Sequence, residues 1–151
     1  MLVSDVMHKD LVTCTDGAML SDAAKLMWDH DIGFIHVLGN QDGMGLVGVV
    51  TDRDLMIGAW SRDERLSRIE VRRAMSTGIV ACRPENDVCE AEQLMRRFQV
   101  HRLPVVTKQG TLVGVISLND LARRATKESN WWLQENVAGT LSAIVEPRHP
   151  K

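Results

Sequence analysis

Two short motifs in the sequence carry side chains that could bind a phosphorylated sugar. Each is an apolar run that ends in a hydroxyl residue, with an aspartate three positions later: Thr51 with Asp54, and Ser117 with Asp120. A hydroxyl and the free N–H groups at a helix start can bind phosphate, and a nearby carboxylate can accept hydrogen bonds from both hydroxyls of a ribose. The same pattern is typical of a capping box, in which both side chains only satisfy the helix terminus. A single copy would favour capping, and the second equivalent copy adds weight to ligand binding.

The cysteine and histidine residues form no pattern that indicates a metal site or a catalytic centre. Cys14, Cys82 and Cys89 are not spaced as C-x-x-C, and no histidine pair has the spacing of a zinc site. We interpret Cys14 and Cys82 as small buried hydrophobic residues. No nucleophile elbow and no local Ser, His and Asp context indicates a hydrolase. We therefore predict no metal ligands, no catalytic residues and no enzyme activity.

The composition favours a folded protein without a strong charge. The chain has 151 residues, of which 44% are hydrophobic, and its formal net charge is −2. A chain of this size can bury a core without disulfides, and its charge gives no general attraction to nucleic acid or to an anionic membrane. The N-terminus lacks the apolar stretch of a signal peptide, and no apolar run approaches the roughly 18 residues that cross a bilayer. We expect a soluble cytoplasmic protein that binds neither nucleic acid nor membranes.

The two motifs close two copies of one internal repeat. A shift of 68 positions aligns the early parts of the copies, for example Met7 with Met75, and a shift of 66 aligns the parts that end in the motifs. The change of shift falls in a turn, at 39–45 in the first copy and at 107–111 in the second. A length difference in a loop is compatible with one shared fold.

Each copy has the predicted order strand, helix, strand, strand, helix. The first helix has apolar residues at helical spacing, and Asp87 with Glu90 resembles a capping box that places its start in the second copy. One copy buries too little surface to be stable by itself, so we expect the two copies to pack through their sheets with pseudo-two-fold symmetry. Ligand clefts would then lie between the copies. The predicted strand segments are 11–13, 34–38 and 46–50 in the first copy, and 79–81, 103–106 and 112–116 in the second.

The residues after the repeats form a separate segment, 126–151. Apolar residues recur at helical spacing from Leu133 to Val145, which predicts an amphipathic helix. This helix could pack on its own module. Alternatively, it could join Trp131 and Trp132 in a homodimer or partner surface, because large aromatic residues are enriched in interface cores. Both interpretations stay open.

With these features the chain resembles the cystathionine-beta-synthase (CBS) domain pair, also called a Bateman module. The resemblance rests on a Val/Ala-Met pair near each start, on His-Arg-Leu-Pro-Val-Val at 101–106, on Leu-Val-Gly-Val at 46–49 and 112–115, and on the two motifs. It spans residues 1 to about 125. Each motif alone is weak, whereas the ordered set, found twice, is specific.

The resemblance implies an α+β fold of tandem β-α-β-β-α repeats. The repeats would be 1–61 and 71–125, joined by a linker at 62–70 and followed by the helical extension 126–151. It also implies a regulatory ligand that contains adenosine, such as AMP, ADP, ATP or S-adenosylmethionine, and no other cofactor. A homodimer and a regulated partner protein belong to the same expectation.

The resemblance also assigns roles to individual residues. Asp54 and Asp120 would hold a ribose, and Thr51 and Ser117 would contact phosphate. The adenine slots would be lined by Val49 and Val115, with Ile32 and Val100. Further walls would come from Ile79 and Val80 at the Asp54 site and from Leu11 and Val12 at the Asp120 site.

We expect the two clefts to be unequal. His101 and Arg102 resemble a His-Arg pair that meets phosphate in the gamma subunit of AMP-activated kinase, whereas the first copy has Gly33 and Phe34 at these positions. The Ser117/Asp120 cleft is therefore the predicted site for a charged nucleotide. Arg53 could partly supply the cation that the first copy lacks.

Other functions stay open beside this one. In a ligand-free interaction scaffold, Thr51 and Ser117 would only cap helices, and the C-terminal segment would drive assembly. A thiol or metal sensor would use the cysteine and histidine residues instead. An enzyme ranks last.

Overall fold

The computed structural model describes residues 1–39 and 45–147. Within them the fold is of the α+β class, as predicted. The predicted turn at 39–45 falls mostly on residues outside these ranges. No described helix is both long and apolar enough to cross a bilayer. In chain order the strands and helices are β1 Thr13–Thr15, α1 Leu20–His30, β2 Phe34–Leu38, β3 Leu46–Thr51, α2 Asp52–Arg62, α3 Val88–Phe98, β4 Arg102–Val106, β5 Leu112–Ser117, α4 Leu118–Lys127 and α5 Trp131–Val145.

The chain divides into two compact units. The first-repeat unit holds α1 and α2 and comprises residues 10–39, 45–79 and 110–112. The second-repeat unit holds α3, α4 and α5 and comprises residues 1–9, 80–109 and 113–147. Each unit therefore contains the segment that begins the other repeat in sequence. The boundaries predicted at 61, 70 and 125 describe the repeats along the chain and stay a prediction.

In the first-repeat unit a three-stranded sheet has the order β1-β2-β3. Strand β1 runs parallel to β2, and β2 runs antiparallel to β3. The two Val/Ile-rich runs predicted as neighbouring strands are thus confirmed as β2 and β3. Their β-branched side chains suit a pleated, half-buried surface. The buried core of this unit consists of Leu20, Ala23, Met27, Ile35, Val37, Val50, Leu55, Ile69 and Val71.

In the second-repeat unit strands β4 and β5 form a two-stranded sheet. The segment predicted as a strand at 79–81 forms only an isolated parallel bridge, between Cys82 and Val105. Pro104 has no N–H to donate to the segment before Cys82, and Pro84 has none to continue the ladder after it, which accounts for the short pairing. The core of this unit includes Val3 from the start of the chain, together with Ala91, Met95, Leu103, Ile116, Leu121 and Ile144.

The predicted starts of α2, α3 and α4 are confirmed. Thr51, Asp87 and Ser117 are the N-cap residues of α2, α3 and α4, and each forms a capping box with the acidic residue three positions later. The C-terminal segment is helical as predicted, with Asn130 as the N-cap of α5. Helix α5 packs on α3 and α4 of its own unit.

Candidate functional site

The Ser117–Asp120 motif lies where β5 ends and α4 begins. The Ser117 hydroxyl accepts a hydrogen bond from the Asp120 N–H over 3.2 Å. In return, Asp120 Oδ2 accepts from the Ser117 N–H at 2.9 Å and from the Ser117 hydroxyl at 2.6 Å. The motif therefore caps the helix, which is the structural role that the pattern predicts.

The Thr51–Asp54 motif has the same geometry in the first-repeat unit. The Asp54 N–H donates to the Thr51 hydroxyl over 3.2 Å, and Asp54 Oδ2 accepts from the Thr51 N–H and hydroxyl, each at 2.8 Å. In both motifs the cap uses Oδ2 of the carboxylate. Capping therefore leaves Oδ1 to interact with another group.

Two basic side chains converge on Oδ1 of Asp120. His8 Nε2 lies 2.5 Å from this oxygen, and Arg123 Nη2 donates to it over 2.7 Å. The Asp120 residue is only 5% exposed. By contrast, the His8 side chain is 53% exposed and the Arg123 side chain 73% exposed. A buried carboxylate is thus bound by two side chains that reach it from solvent.

The hydrogen bonds around Asp120 keep its carboxylate ionised. Burial acts to raise the pKa of Asp120, but hydrogen bonds from Ser117, Arg123 and His8 outweigh it, so the pKa lies below its ordinary value. An ionised carboxylate only accepts hydrogen bonds, which makes His8 Nε2–H the donor of that contact.

His8 reaches Asp120 because the start of the chain pairs with β5. The His8 N–H donates to the Val115 carbonyl over 2.8 Å, and the Val115 N–H donates to the His8 carbonyl over 3.0 Å. Gly114 permits this approach, since a Cβ there would lie 2.7 Å from Met7 Sδ and 2.9 Å from the His8 carbonyl oxygen. The first-repeat unit has the same arrangement: the Val49 N–H donates to the Ser76 carbonyl, and the Ser76 N–H donates to the Val49 carbonyl.

The sequence alone did not identify His8 and Arg123 as neighbours of Asp120. Arg123 lies one helical turn after Asp120, so helix geometry alone could have identified it. The signal for His8 was the repeat itself. His8 aligns with Ser76 at the same shift of 68 that aligns Met7 with Met75.

Several predicted residues of the second-repeat unit lie around this motif. Val115 is two residues before Ser117 in β5, and the His101 carbonyl accepts from the Leu118 N–H at 2.9 Å. The side chains of His101 and Arg102 are exposed. Val100 and Val80 are half-buried and pack against the core of the unit. The structure thus brings His101 beside the motif through its backbone, and phosphate contact by His101 and Arg102 stays a prediction.

In the first-repeat unit Val49 lies two residues before Thr51 in β3. Leu11 and Val12 are half-buried before β1, and Ile79 is half-buried at the end of the unit. The parts that Leu11 and Val12 would play at Asp120, and Ile79 and Val80 at Asp54, stay predictions.

A shallow pocket of about 410 Å³ in the first-repeat unit contains one predicted residue, Ile32. Thr51 and Asp54 are not part of its lining, but Asp52 between them and Leu55 directly after them are, so the pocket adjoins the motif. Gly33 is held to the start of α2, because its carbonyl accepts from the Asp52 N–H at 3.1 Å. The pocket is lined by Ala24, Met27, Trp28, Asp31, Ile32, Gly33, Asp52 and Leu55.

In the first repeat, His36 stands at the position that is equivalent to Pro104 of the second repeat. Its side chain is buried, and its ring stands edge-on to Phe34 with the ring centroids 5.0 Å apart. This histidine is therefore part of the packed interior of its unit.

The cysteines lie in surroundings that disfavour thiolate chemistry. Burial raises the pKa of Cys14 to about 11, with a smaller contribution from Asp22, and burial likewise raises the pKa of Cys82 to about 11. The pKa of Cys89 is raised to about 11 by burial and by its hydrogen bond with Asp87. Across residues 1–39 and 45–147, no three His, Cys, Asp or Glu side chains are grouped so that they could hold a metal ion.

Comparison with known proteins relates both repeats to one family. The sequence model of the CBS domain matches residues 3–58 and 70–127. The chain is 36% identical over 120 residues to the CBS domain-containing protein YhcV of Bacillus subtilis, and the alignment covers 80% of this chain and 82% of YhcV.

Solved structures show the same fold. The CBS domain protein PAE2072 from Pyrobaculum aerophilum, complexed with AMP, matches with a TM-score of 0.73 and 23% identity over 85% of this chain and 97% of that chain. The CBS domain pair of protein MJ0100, in complex with 5'-methylthioadenosine and S-adenosyl-L-methionine, matches with a TM-score of 0.72 and 20% identity over 85% of this chain and 98% of that chain.

Proposed function

Because the chain belongs to the CBS domain family, we propose that it is a regulatory module that binds an adenosine-containing ligand at the Ser117–Asp120 motif. The observation that carries the proposal is the state of Asp120 Oδ1. This oxygen belongs to a buried, ionised carboxylate, yet its partners His8 and Arg123 have exposed side chains that can move aside. A ligand with hydroxyl donors can take their place.

A ribose fits the chemistry of this carboxylate. Its two neighbouring hydroxyls can both donate to one carboxylate, and the capping bonds keep Asp120 fixed through Oδ2 while Oδ1 changes partner. The hydroxyl of Ser117, the first residue of the motif, lies beside the same carboxylate. The site thus offers a preorganised acceptor for the sugar of a nucleoside.

The ligands of the structural neighbours support adenosine as the recognised part. PAE2072 is complexed with AMP, and MJ0100 with 5'-methylthioadenosine and S-adenosyl-L-methionine. Adenosine is the group that these molecules share. We therefore propose AMP, ADP, ATP or S-adenosylmethionine as the candidate ligands of this chain, with occupancy transmitted to a dimer or a regulated partner and with no catalysis by the chain itself.

The N-terminal segment provides a route for transmission. A ligand that binds Oδ1 displaces His8, whose backbone is paired to Val115 and whose segment includes the buried residue Val3. Ligand binding would favour chain arrangements that release His8 from Asp120. The size of this population shift is bounded by the difference in ligand affinity between the two arrangements.

Isothermal titration with AMP, ADP, ATP and S-adenosylmethionine tests the proposal. We expect at least one of them to bind the wild-type chain, and Asp120→Asn to weaken that binding by roughly tenfold or more, because a charge-assisted hydrogen bond is lost. Asp87→Asn is the matched control, since Asp87 also caps a helix but lies outside the motif. The proposal is wrong if none of the ligands binds at millimolar concentration, or if Asp120→Asn binds as tightly as wild type.

A homodimer is the assembly that the surface supports. Trp28 of α1 is 87% exposed and Trp60 of α2 is 82% exposed, and Met56 and Ile57, about one turn before Trp60 in α2, are also exposed. Two tryptophans contribute about 300–400 Å² of this apolar surface. The four residues together therefore supply a large part of the about 800 Å² that each partner buries in a standard interface.

A second copy of this chain is the occupant that we propose for the α1–α2 surface. The equivalent positions in the second repeat are Arg96 and Thr126, on helices that α5 already packs against. We expect wild type to sediment as a dimer and the double variant Trp28→Glu with Trp60→Glu to sediment as a monomer.

The matched control replaces Trp131 and Trp132 of α5 by glutamate, which tests the other surface that the sequence indicated. A wild-type monomer would contradict the proposed dimer. A dimer that survives the Trp28 and Trp60 changes but is lost with those at Trp131 and Trp132 would place the interface on α5.

A further inference from the structure

The two aspartates of the repeated motif differ in the basic side chains that surround them. His8, which contacts Asp120, is replaced by Ser76 in the first-repeat unit, at the same place beside β3. Arg123, the second contact, is replaced by Ile57. The first-repeat unit therefore carries no basic side chain at the positions from which His8 and Arg123 reach the carboxylate.

The residues at the helix starts increase this difference. At the start of α2, Asp52 and Arg53 precede Asp54, so the formal charge of these three residues is −1. At the start of α4 the equivalent positions are Leu118 and Asn119. With Arg123 included, the surroundings of Asp120 are formally neutral before His8 is counted. The Asp120 motif is thus the less negative of the two.

Resting on the proposed function, we propose that His8 and Arg123 make the Asp120 site selective for phosphorylated adenosine. A ribose that takes over Oδ1 removes the anion that both side chains now contact. A phosphate on the same ligand supplies a replacement anion, to which the Arg123 guanidinium and the His8 Nε2–H can donate hydrogen bonds. Adenosine without phosphate displaces the two side chains and supplies no anion to replace the carboxylate that they contacted.

The ligand classes differ in the contacts that they offer to His8 and Arg123. A nucleoside phosphate gains the contacts of His8 and Arg123, adenosine loses them, and a sulfonium group adds a positive charge beside the Arg123 guanidinium. Ser76 and Ile57 impose no such ranking at Asp54. A ribose at Asp54 would therefore be bound without the preference for charge that we propose at Asp120.

The test uses the residues of the first repeat as replacements in the second. Dissociation constants for AMP and for adenosine are measured by isothermal titration for wild type, His8→Ser, Arg123→Ile and the double variant. We expect wild type to prefer AMP, and each single change to reduce the ratio of the two affinities by roughly tenfold. Adenosine affinity is expected to rise in the double variant, because its ribose no longer competes with two side chains for Oδ1.

The reverse exchange is the matched control. In the Asp120→Asn background, Ser76→His with Ile57→Arg should create a preference for AMP at the remaining Asp54 motif. An affinity ratio that does not change in the His8 and Arg123 variants would overturn the inference and leave the adenosine site in place. Absence of binding by both AMP and adenosine to wild type would overturn the proposed function and this inference together.

Discussion

His8 Nε2 lies 2.5 Å from Asp120 Oδ1, although 112 positions separate the two residues in the chain. The contact exists because the backbone of His8 forms two hydrogen bonds with Val115, close to the end of β5. Val3 holds the same segment in the core of the second-repeat unit. The beginning of the chain is therefore part of the surroundings of the second motif, and changes in that segment are expected to act on Asp120.

The stabilising effect of Asp120 should depend on pH. Burial raises its pKa, but the hydrogen bonds from Ser117, Arg123 and His8 more than offset burial, so the folded-state pKa lies below the ordinary 3.8. A carboxyl group whose pKa is lower in the folded state stabilises the fold above the unfolded-state pKa, and this contribution is lost as the pH falls through the folded-state pKa.

Urea unfolding of Asp120→Asn across the acidic range measures this effect. At pH 7 we expect the free energy of unfolding to fall by about 1–3 kcal/mol relative to wild type. The difference should shrink as the pH decreases below 3.8. A difference that stays constant down to the acid limit would show that the charge of Asp120 contributes nothing to stability.

Local features of the fold could be predicted from the sequence because they depend on neighbouring residues. The caps at Thr51, Asp87 and Ser117 each involve residues within three positions, and the structure confirms all three. The paired strands could be predicted because β-branched runs on either side of a short turn have few alternatives. Helix α5 followed from its apolar spacing.

Features that depend on distant pairing could not be predicted in the same way. The bond between His8 and Asp120 requires the first residues of the chain to lie beside β5, and no local pattern around His8 indicates this. At 79–81 the composition predicted a strand, but the structure has one bridge at Cys82, because strand extent depends on the partner, and Pro104 of β4 has no N–H for the residues before Cys82. The repeat shows that His8 and Ser76 hold equivalent positions, but it does not show which strand either residue pairs with.

Thr140 is expected to anchor α5 through a buried hydrogen bond. Its hydroxyl donates to Glu92 Oε1 of α3 over 2.6 Å, and both residues are buried. Thr140→Val removes the donor and leaves a buried carboxyl oxygen without that partner, which should lower the free energy of unfolding by about 1–3 kcal/mol. Thr126→Val is the control, because the Thr126 hydroxyl donates to the Ala122 carbonyl at an exposed position. Equal losses in the two variants would contradict the anchoring role.

The native thiols should react slowly at neutral pH. Burial raises the pKa of Cys14 and Cys82 to about 11, and burial with the Asp87 hydrogen bond raises that of Cys89 to about 11. Because the thiolate is the reactive form, alkylation by iodoacetamide at pH 7 should be much slower in the native protein than in urea. Mass spectrometry after timed quenching measures the rates. Rapid modification of one cysteine in the native protein would revive the thiol-sensor alternative.

Gly114 should be required for the placement of His8. A Cβ at this position would lie 2.7 Å from Met7 Sδ and 2.9 Å from the His8 carbonyl, and the second of these atoms belongs to backbone that cannot rotate away. Gly114→Ala should therefore push the N-terminal segment from β5, lower the free energy of unfolding by about 1–3 kcal/mol, and weaken the His8 contact with Asp120.

Gly78→Ala is the matched control, because a Cβ there meets nothing within 4 Å. The chemical shift of the His8 ring, measured by NMR in both variants, reports whether the contact survives. In Gly114→Ala the His8 signals should move toward those of Asp120→Asn, whereas in Gly78→Ala they should match wild type. If Gly114→Ala keeps both the stability and the His8 signals of wild type, close approach of the N-terminal segment to β5 is not what holds His8 against Asp120.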